Sequence, residues 1–147
     1  MTATMDLLFT ADQICEAARG NVTALCLVTT AYLKKQQISP QDFWAFTGRQ
    51  FAQTWNEDIT ARDFVEGIAI NMLSANCKLQ TLSGGETRAE LVLSNWPGDE
   101  RLDSFGLTQE EADYTIDIFV AIGQELGFEC LWEREGAEVK MMVALEK

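Results

Sequence analysis

ANCKLQTLSGGETRAELVLSNWP, residues 75–97, is the stretch on which the fold turns. Upstream of it apolar residues recur at helical spacing, and from Cys77 the period drops to two. Cys77–Leu82 and Thr87–Trp96 read as two strands joined by the turn Ser83-Gly84-Gly85-Glu86. In the second strand Ala89, Leu91 and Leu93 point to a core, while Arg88, Glu90 and Ser94 point to water. A sheet that alternates in this way buries one face and needs helices to cover it.

Those helices are expected on both sides of the stretch. Thr10 can cap a helix beginning at Ala11, with a break or kink at Gly20-Asn21 near its end. A second helix is expected from about Val22 to Lys35, with Leu25, Val28 and Tyr32 on one stripe. Ser39-Pro40 supplies a cap followed by proline at the first helical position, and Asp42 suits the positive end of the helix dipole. The helix it opens carries Phe43, Trp44, Phe46, Phe51 and Trp55. Thr60-Ala61-Arg62-Asp63 resembles a capping box with Asp in place of Glu and starts a fourth helix through Phe64, Ile68 and Met72.

Downstream, Pro97–Leu107 reads as a polar connection, and Thr108 opens a helix running to about Leu126, with Gly127 just past its end. Phe128–Arg134 and Ala137–Leu145 form a second hairpin turning at Glu135-Gly136. The order is four helices, then ββαββ. The expected fold is α+β, one domain over residues 1–147, with helices on one face of a four-stranded antiparallel sheet. The helical half covers 1–76 and the ββαββ half 77–147, and neither could close a core alone.

Composition removes several function classes. The 147 residues include no histidine, so the commonest general base, His-ligated zinc and Ser-His-Asp or Cys-His catalysis are all missing. Formal charge is −12. The first 76 residues hold 5 basic and 8 acidic side chains and the rest hold 6 and 15, so the negative charge gathers in the second half. Such a field repels nucleic acid and anionic lipid. No run reaches the ~18 apolar residues of a membrane span. Neither a signal peptide, a cofactor nor a metal set is expected. Cys15, Cys26, Cys77 and Cys130 are widely spaced in apolar or amphipathic segments and read as reduced, small hydrophobes in a cytoplasmic protein.

The order of elements resembles the superfamily of 4-vinyl-reductase-like domains, which includes the small subunits of the TRAPP tethering complex and the sensor domains of bacterial phenol-responsive regulators. The resemblance is carried by Phe64–Pro97, where an apolar helix runs into a strand, a Gly turn and a strand ending in Asn-Trp-Pro. Ile116–Val143 adds a helix, Gly127 and a hairpin turning at Gly136. It implies a homodimer formed through N-terminal helices and an apolar pocket between helices and sheet for an acyl chain, an aromatic effector or a tetrapyrrole-related substrate. The histidine and cysteine zinc site of the phenol sensors have no counterpart here. The connection Asn56–Ile59 lacks the cysteine that acylated TRAPP subunits carry. The resemblance therefore transfers an architecture and no functional residue.

The segment Phe43–Trp55 is the candidate ligand-binding site. Trp44, Thr47, Gly48, Phe51 and Trp55 recur every three to four residues, and Arg49 interrupts the apolar run. Three readings follow: packed core, a pocket wall in which Gly48 leaves room for a flat ligand and Arg49 meets its carboxylate, or a buried homodimer seam. Trp44, Gly48, Arg49, Phe51 and Trp55 would carry the second. The expected function is a non-catalytic small-molecule-binding homodimer enclosing an apolar or aromatic ligand or an acyl chain. The alternatives are a histidine-independent enzyme using Asp42 or Glu57 with Arg49, and a protein-assembly module. The acidic groups Asn56-Glu57-Asp58 and Asp99-Glu100 with Asp103 read as solvated loop charge, and Glu110 and Glu111 as stabilisers of a helix start.

Overall fold

The computed structural model describes residues 8–146. Three helices come first: α1 (Ala11–Lys35), α2 (Pro40–Phe51) and α3 (Ala61–Leu73). The hairpin β1 (Lys78–Gly84) and β2 (Arg88–Ser94) follows, then α4 (Asp99–Phe105), α5 (Gln109–Asp113) and α6 (Asp117–Leu126). The chain closes with β3 (Phe128–Glu135) and β4 (Glu138–Leu145). All strand pairs are antiparallel, in the order β1-β2-β4-β3.

Local chemistry sets the helix starts. The hydroxyls of Thr10, Ser39, Thr60 and Thr108 each accept a hydrogen bond from a backbone N–H three residues on. At Thr10, Thr60 and Thr108 the side chain of Gln13, Asp63 or Glu111 returns a bond to the cap, so two free amide donors are satisfied together. Gly127, at φ 89°, takes the left-handed turn that ends α6.

Register then selects the core. Leu91 lies opposite Met141, Leu93 opposite Val139, and Val143 opposite both Ala89 and Cys130. All of these are buried, while Arg88, Glu90, Glu129 and Leu131 on the alternate positions are exposed. α3 packs against β1 and β2, and α6 against β3. Phe64 of α3 stacks on Phe128 with ring centroids 5.3 Å apart, and both are fully buried. Burial of each ring contributes roughly 1.5–3 kcal/mol. One apolar cluster joins Trp44, Phe64 and Ile68 of the helical half to Leu91, Ile122, Met141 and Val143 of the other half.

Four expectations about the elements need correction. The break at Gly20-Asn21 does not occur, and α1 is continuous, so three α-helices precede the sheet and not four. One glycine costs a helix only about 1 kcal/mol, and here Arg101 Nη1 donates to the Gly20 carbonyl at 3.2 Å. The aromatic helix ends at Phe51. The chain tightens into a 3-10 turn over Ala52–Thr54, leaving Trp55 extended at φ −92° and ψ 150°. The connection Pro97–Leu107 contains α4, closed by Gly106 at φ 65°, whose Leu102 and Phe105 pack on Leu27 and Leu107. The helix expected over Thr108–Leu126 is interrupted by a 3-10 turn at Tyr114–Ile116, where β-branched Thr115 and Ile116 sit side by side.

Candidate functional site

Of the five residues expected to bind a ligand, the structure commits three to packing. The Trp44 ring is buried, its Nε1 donates to Thr30 Oγ1 at 3.2 Å, and Thr30 in turn donates to the Cys26 carbonyl at 2.8 Å. Gly48 lies where α2 crosses α6. A Cβ there would strike the Ile118 carbonyl oxygen and come within 2.8 Å of the Ala121 Cβ, so glycine is what permits the approach. The Trp55 ring covers Gly67, whose absent Cβ would meet it at 2.6 Å, and it tilts against Phe64 at 5.3 Å.

Arg49 and Phe51 point elsewhere. Both are exposed. Arg49 borders an open depression of about 340 Å³ with Gln50, Gln53, Glu57 and Glu125 on its rim. The five side chains therefore do not converge on one space. Asp42 and Glu57 are likewise exposed, on different segments of the chain.

Two of the carboxylates withdrawn from water are ones that the sequence reading passed over. Asp113, at the end of α5, takes a two-pronged ion pair from Arg134 of β3, Nε to Oδ2 at 2.6 Å and Nη2 to Oδ1 at 2.9 Å. Gln109 Nε2 adds a bond to Asp113 Oδ1 at 2.9 Å and another to the Trp96 carbonyl at 2.9 Å, and Arg134 also reaches that carbonyl. Charge and hydrogen bonds are matched here, which is what lets an ion pair persist with Asp113 only 3% exposed. Arg134, Gln109 and Lys78 border a polar cleft of about 530 Å³ beside the cis Trp96–Pro97 bond. A signal did exist: Arg134 shares strand parity with Phe128, Cys130 and Trp132, so its charge had to turn inward. Asp117 is the second carboxylate. Burial raises its pKa, opposed by the Trp132 Nε1–H bond of 2.9 Å.

Three thiols lie in the core region. Burial pushes Cys26 up to about 11, and Cys77 and Cys130 up to about 12, so at neutral pH they are protonated and poor nucleophiles. Cys15, expected to behave the same way, is exposed, because no residue from Ala11 to Arg19 is buried.

The largest departure from an ordinary amphipathic helix is α1. Its inward face is Thr23, Leu27, Thr30 and Leu33, and the Thr23 hydroxyl donates to the Ala75 carbonyl at 2.7 Å. Its outward face carries Ile14, Leu25, Val28 and Tyr32, which are 60%, 64%, 48% and 61% exposed. The stripe Leu25-Val28-Tyr32 is present as the spacing predicts, and it faces solvent. Water meets the more apolar side of the helix. No helix among the described residues is long and apolar enough to cross a membrane. Neither a protein-family model nor a curated protein matches this chain.

Proposed function

We propose that this chain is a non-catalytic assembly domain that works as a homodimer, with α1 as its contact element. The single observation that carries the reading is the reversed amphipathicity of α1, threonine-rich inside and Leu/Val/Tyr-rich outside. Exposed apolar side chains scattered singly need no explanation, but a run in register along a 25-residue helix marks a protein-facing surface. The helices are read as covering one face of the sheet, where α3 and α6 make contact. A cytoplasmic setting suits the reduced thiols of Cys77 and Cys130. The resemblance to the 4-vinyl-reductase-like domains points to the same kind of dimer.

An enclosed apolar or aromatic ligand is the second reading. It is favoured by Phe51 and Arg49, which stand exposed on one turn of α2, and weakened by the packing of Trp44, Gly48 and Trp55. Native mass spectrometry on protein purified without refolding separates the two. A dimer without added mass is the expected result. A dimer whose extra mass leaves on denaturation would establish the ligand-binding reading and supply the ligand. A monomer at micromolar concentration would remove the homodimer.

A further inference from the structure

We infer that the polar cleft at one end of the sheet binds a small carboxylic acid, with Lys78 and Arg134 holding its carboxylate. The cleft is separate from α1, so the site stands or falls independently of the homodimer reading.

The cleft lies where β1 begins and where β2 and β3 finish. Lys78 opens β1, Ser94 closes β2, and Arg134 is next to last in β3. Gln109 of α5 borders it from the helical side, and Asn95 and Gly98 complete the rim. Its volume of about 530 Å³ is in the range of small-molecule sites. The charged residues on its described lining are Lys78 and Arg134, both basic. In a chain of net charge −12 this is unusual. The depression beside Arg49 has Glu57 and Glu125 on its lining, and another on the outer face of the sheet has Glu90 and Glu129. Glu135 and Glu138, opposite each other at the β3–β4 turn, are exposed and lie outside the lining.

Arg134 is prepared for an anion by its own chain. A guanidinium carries five N–H donors. Nε and Nη2 commit three of them to Asp113 and the Trp96 carbonyl, and Nη1 gives one to the Gly136 carbonyl at 3.2 Å. One Nη1–H is left over. Asp113, only 3% exposed, fixes the plane of the group, so a ligand that takes this donor need not order the side chain. Asp113 also balances the Arg134 charge, which leaves Lys78 as the net positive charge of the cleft. Lys78 is exposed and has no ion pair among the described residues. One guanidinium N–H and one ammonium match the two oxygens of a carboxylate. A phosphate dianion asks for more donors and is repelled more strongly by the acidic chain.

The amides on the lining specify the rest of the ligand. Gln109 Nε2 donates to the Trp96 carbonyl and to Asp113, and Asn95 Nδ2 donates to the Asn76 carbonyl at 3.1 Å. Each amide oxygen is thereby left as an acceptor. A short acid with an O–H or N–H beside its carboxylate, a hydroxy acid or an acylamino acid, complements both sets of groups.

Amide NMR of the full nitrogen-labelled chain tests the site. The probes are acetate, lactate and N-acetylglycine, each added to about 10 mM, with N-acetylglycinamide as the neutral control and inorganic phosphate as the competing anion. Saturable shifts are expected at Gly98, Gly136, the Arg134 Nε–H and the Gln109 side-chain amide, with lactate and N-acetylglycine binding more tightly than acetate. Lys78 is exposed at the start of an edge strand, so its replacement leaves the core untouched. Lys78→Ala should weaken binding about fivefold, and Lys78→Glu should abolish it, with thermal unfolding checking the fold of both. The site is overturned if none of the three acids gives a saturable shift at these groups. Equal binding of the neutral amide, or unchanged affinity in Lys78→Ala, would overturn the carboxylate contact. Phosphate binding more tightly than every acid would overturn the choice of a carboxylic acid.

Discussion

Gly48 and Thr115 show how much a single atom decides in this core. At Gly48 a methyl group would push into the Ile118 carbonyl and the Ala121 Cβ, so Gly48→Ala should lower stability by about 1–3 kcal/mol despite its better helix propensity. A urea midpoint shifted down at unchanged slope is the expected reading. Thr115 is the reverse case. Its buried Oγ1 has no hydrogen-bond partner among the described residues, so Thr115→Val should be neutral or stabilising by up to about 1 kcal/mol. The Asp113–Arg134 pair belongs with these. Asp113→Ala strands a guanidinium only 18% exposed and should cost about 3–5 kcal/mol, whereas adding Arg134→Met should recover part of that loss in a double-mutant cycle. From the sequence Gly48 read as room for a flat ligand and not as a close approach of two helices, because the element that crosses it is remote in the chain. Strand parity could have marked Arg134 as inward, but Asp113 was not legible, because its partner lies 21 residues away on another element.

Among the elements, α5 offers a pH-dependent test. Burial raises the Glu111 carboxyl, but the Thr108 backbone N–H, the Lys34 ammonium and the Thr108 hydroxyl together outweigh it and hold its pKa below the ordinary 4.5. A depressed carboxyl favours the fold above its ordinary pKa and loses that contribution as pH falls through the folded value. Glutamine still accepts the Thr108 bond, so Glu111→Gln isolates the charge. The variant should be less stable than wild type by about 0.5 kcal/mol at pH 7, with the gap closing in acid below the carboxylate range. Thermal unfolding across pH reads this directly. Helix starts were the best-read feature of the sequence, since a cap is made by residues three positions apart. Helix ends and interruptions were read less well. The 3-10 turns at Ala52–Thr54 and Tyr114–Ile116 lack strong local punctuation, while α4 lies between Gly98 and Gly106 but is too short and polar to stand out as a helix.

At the scale of the whole molecule, dimerisation ties stability to concentration. If α1 faces pair, the unfolding temperature should rise with protein concentration, and Leu25→Glu should abolish that rise while changing monomer stability by less than about 0.5 kcal/mol. Size-exclusion chromatography with light scattering would show the same variant as a monomer. By itself the sequence determined what depends on near neighbours: the switch of period at Cys77, the four caps, the glycine turns, and the inward face of each central strand. It also placed Leu25, Val28 and Tyr32 on one stripe, and Trp44 and Gly48 on another. Only the tertiary structure decided what each stripe meets. Periodicity reports which residues share a face, but burial depends on the element that arrives opposite it. Thus α1 turned its threonines to the body and its aliphatic stripe to water, the Trp44 ring met Thr30, and the Trp55 ring met Gly67.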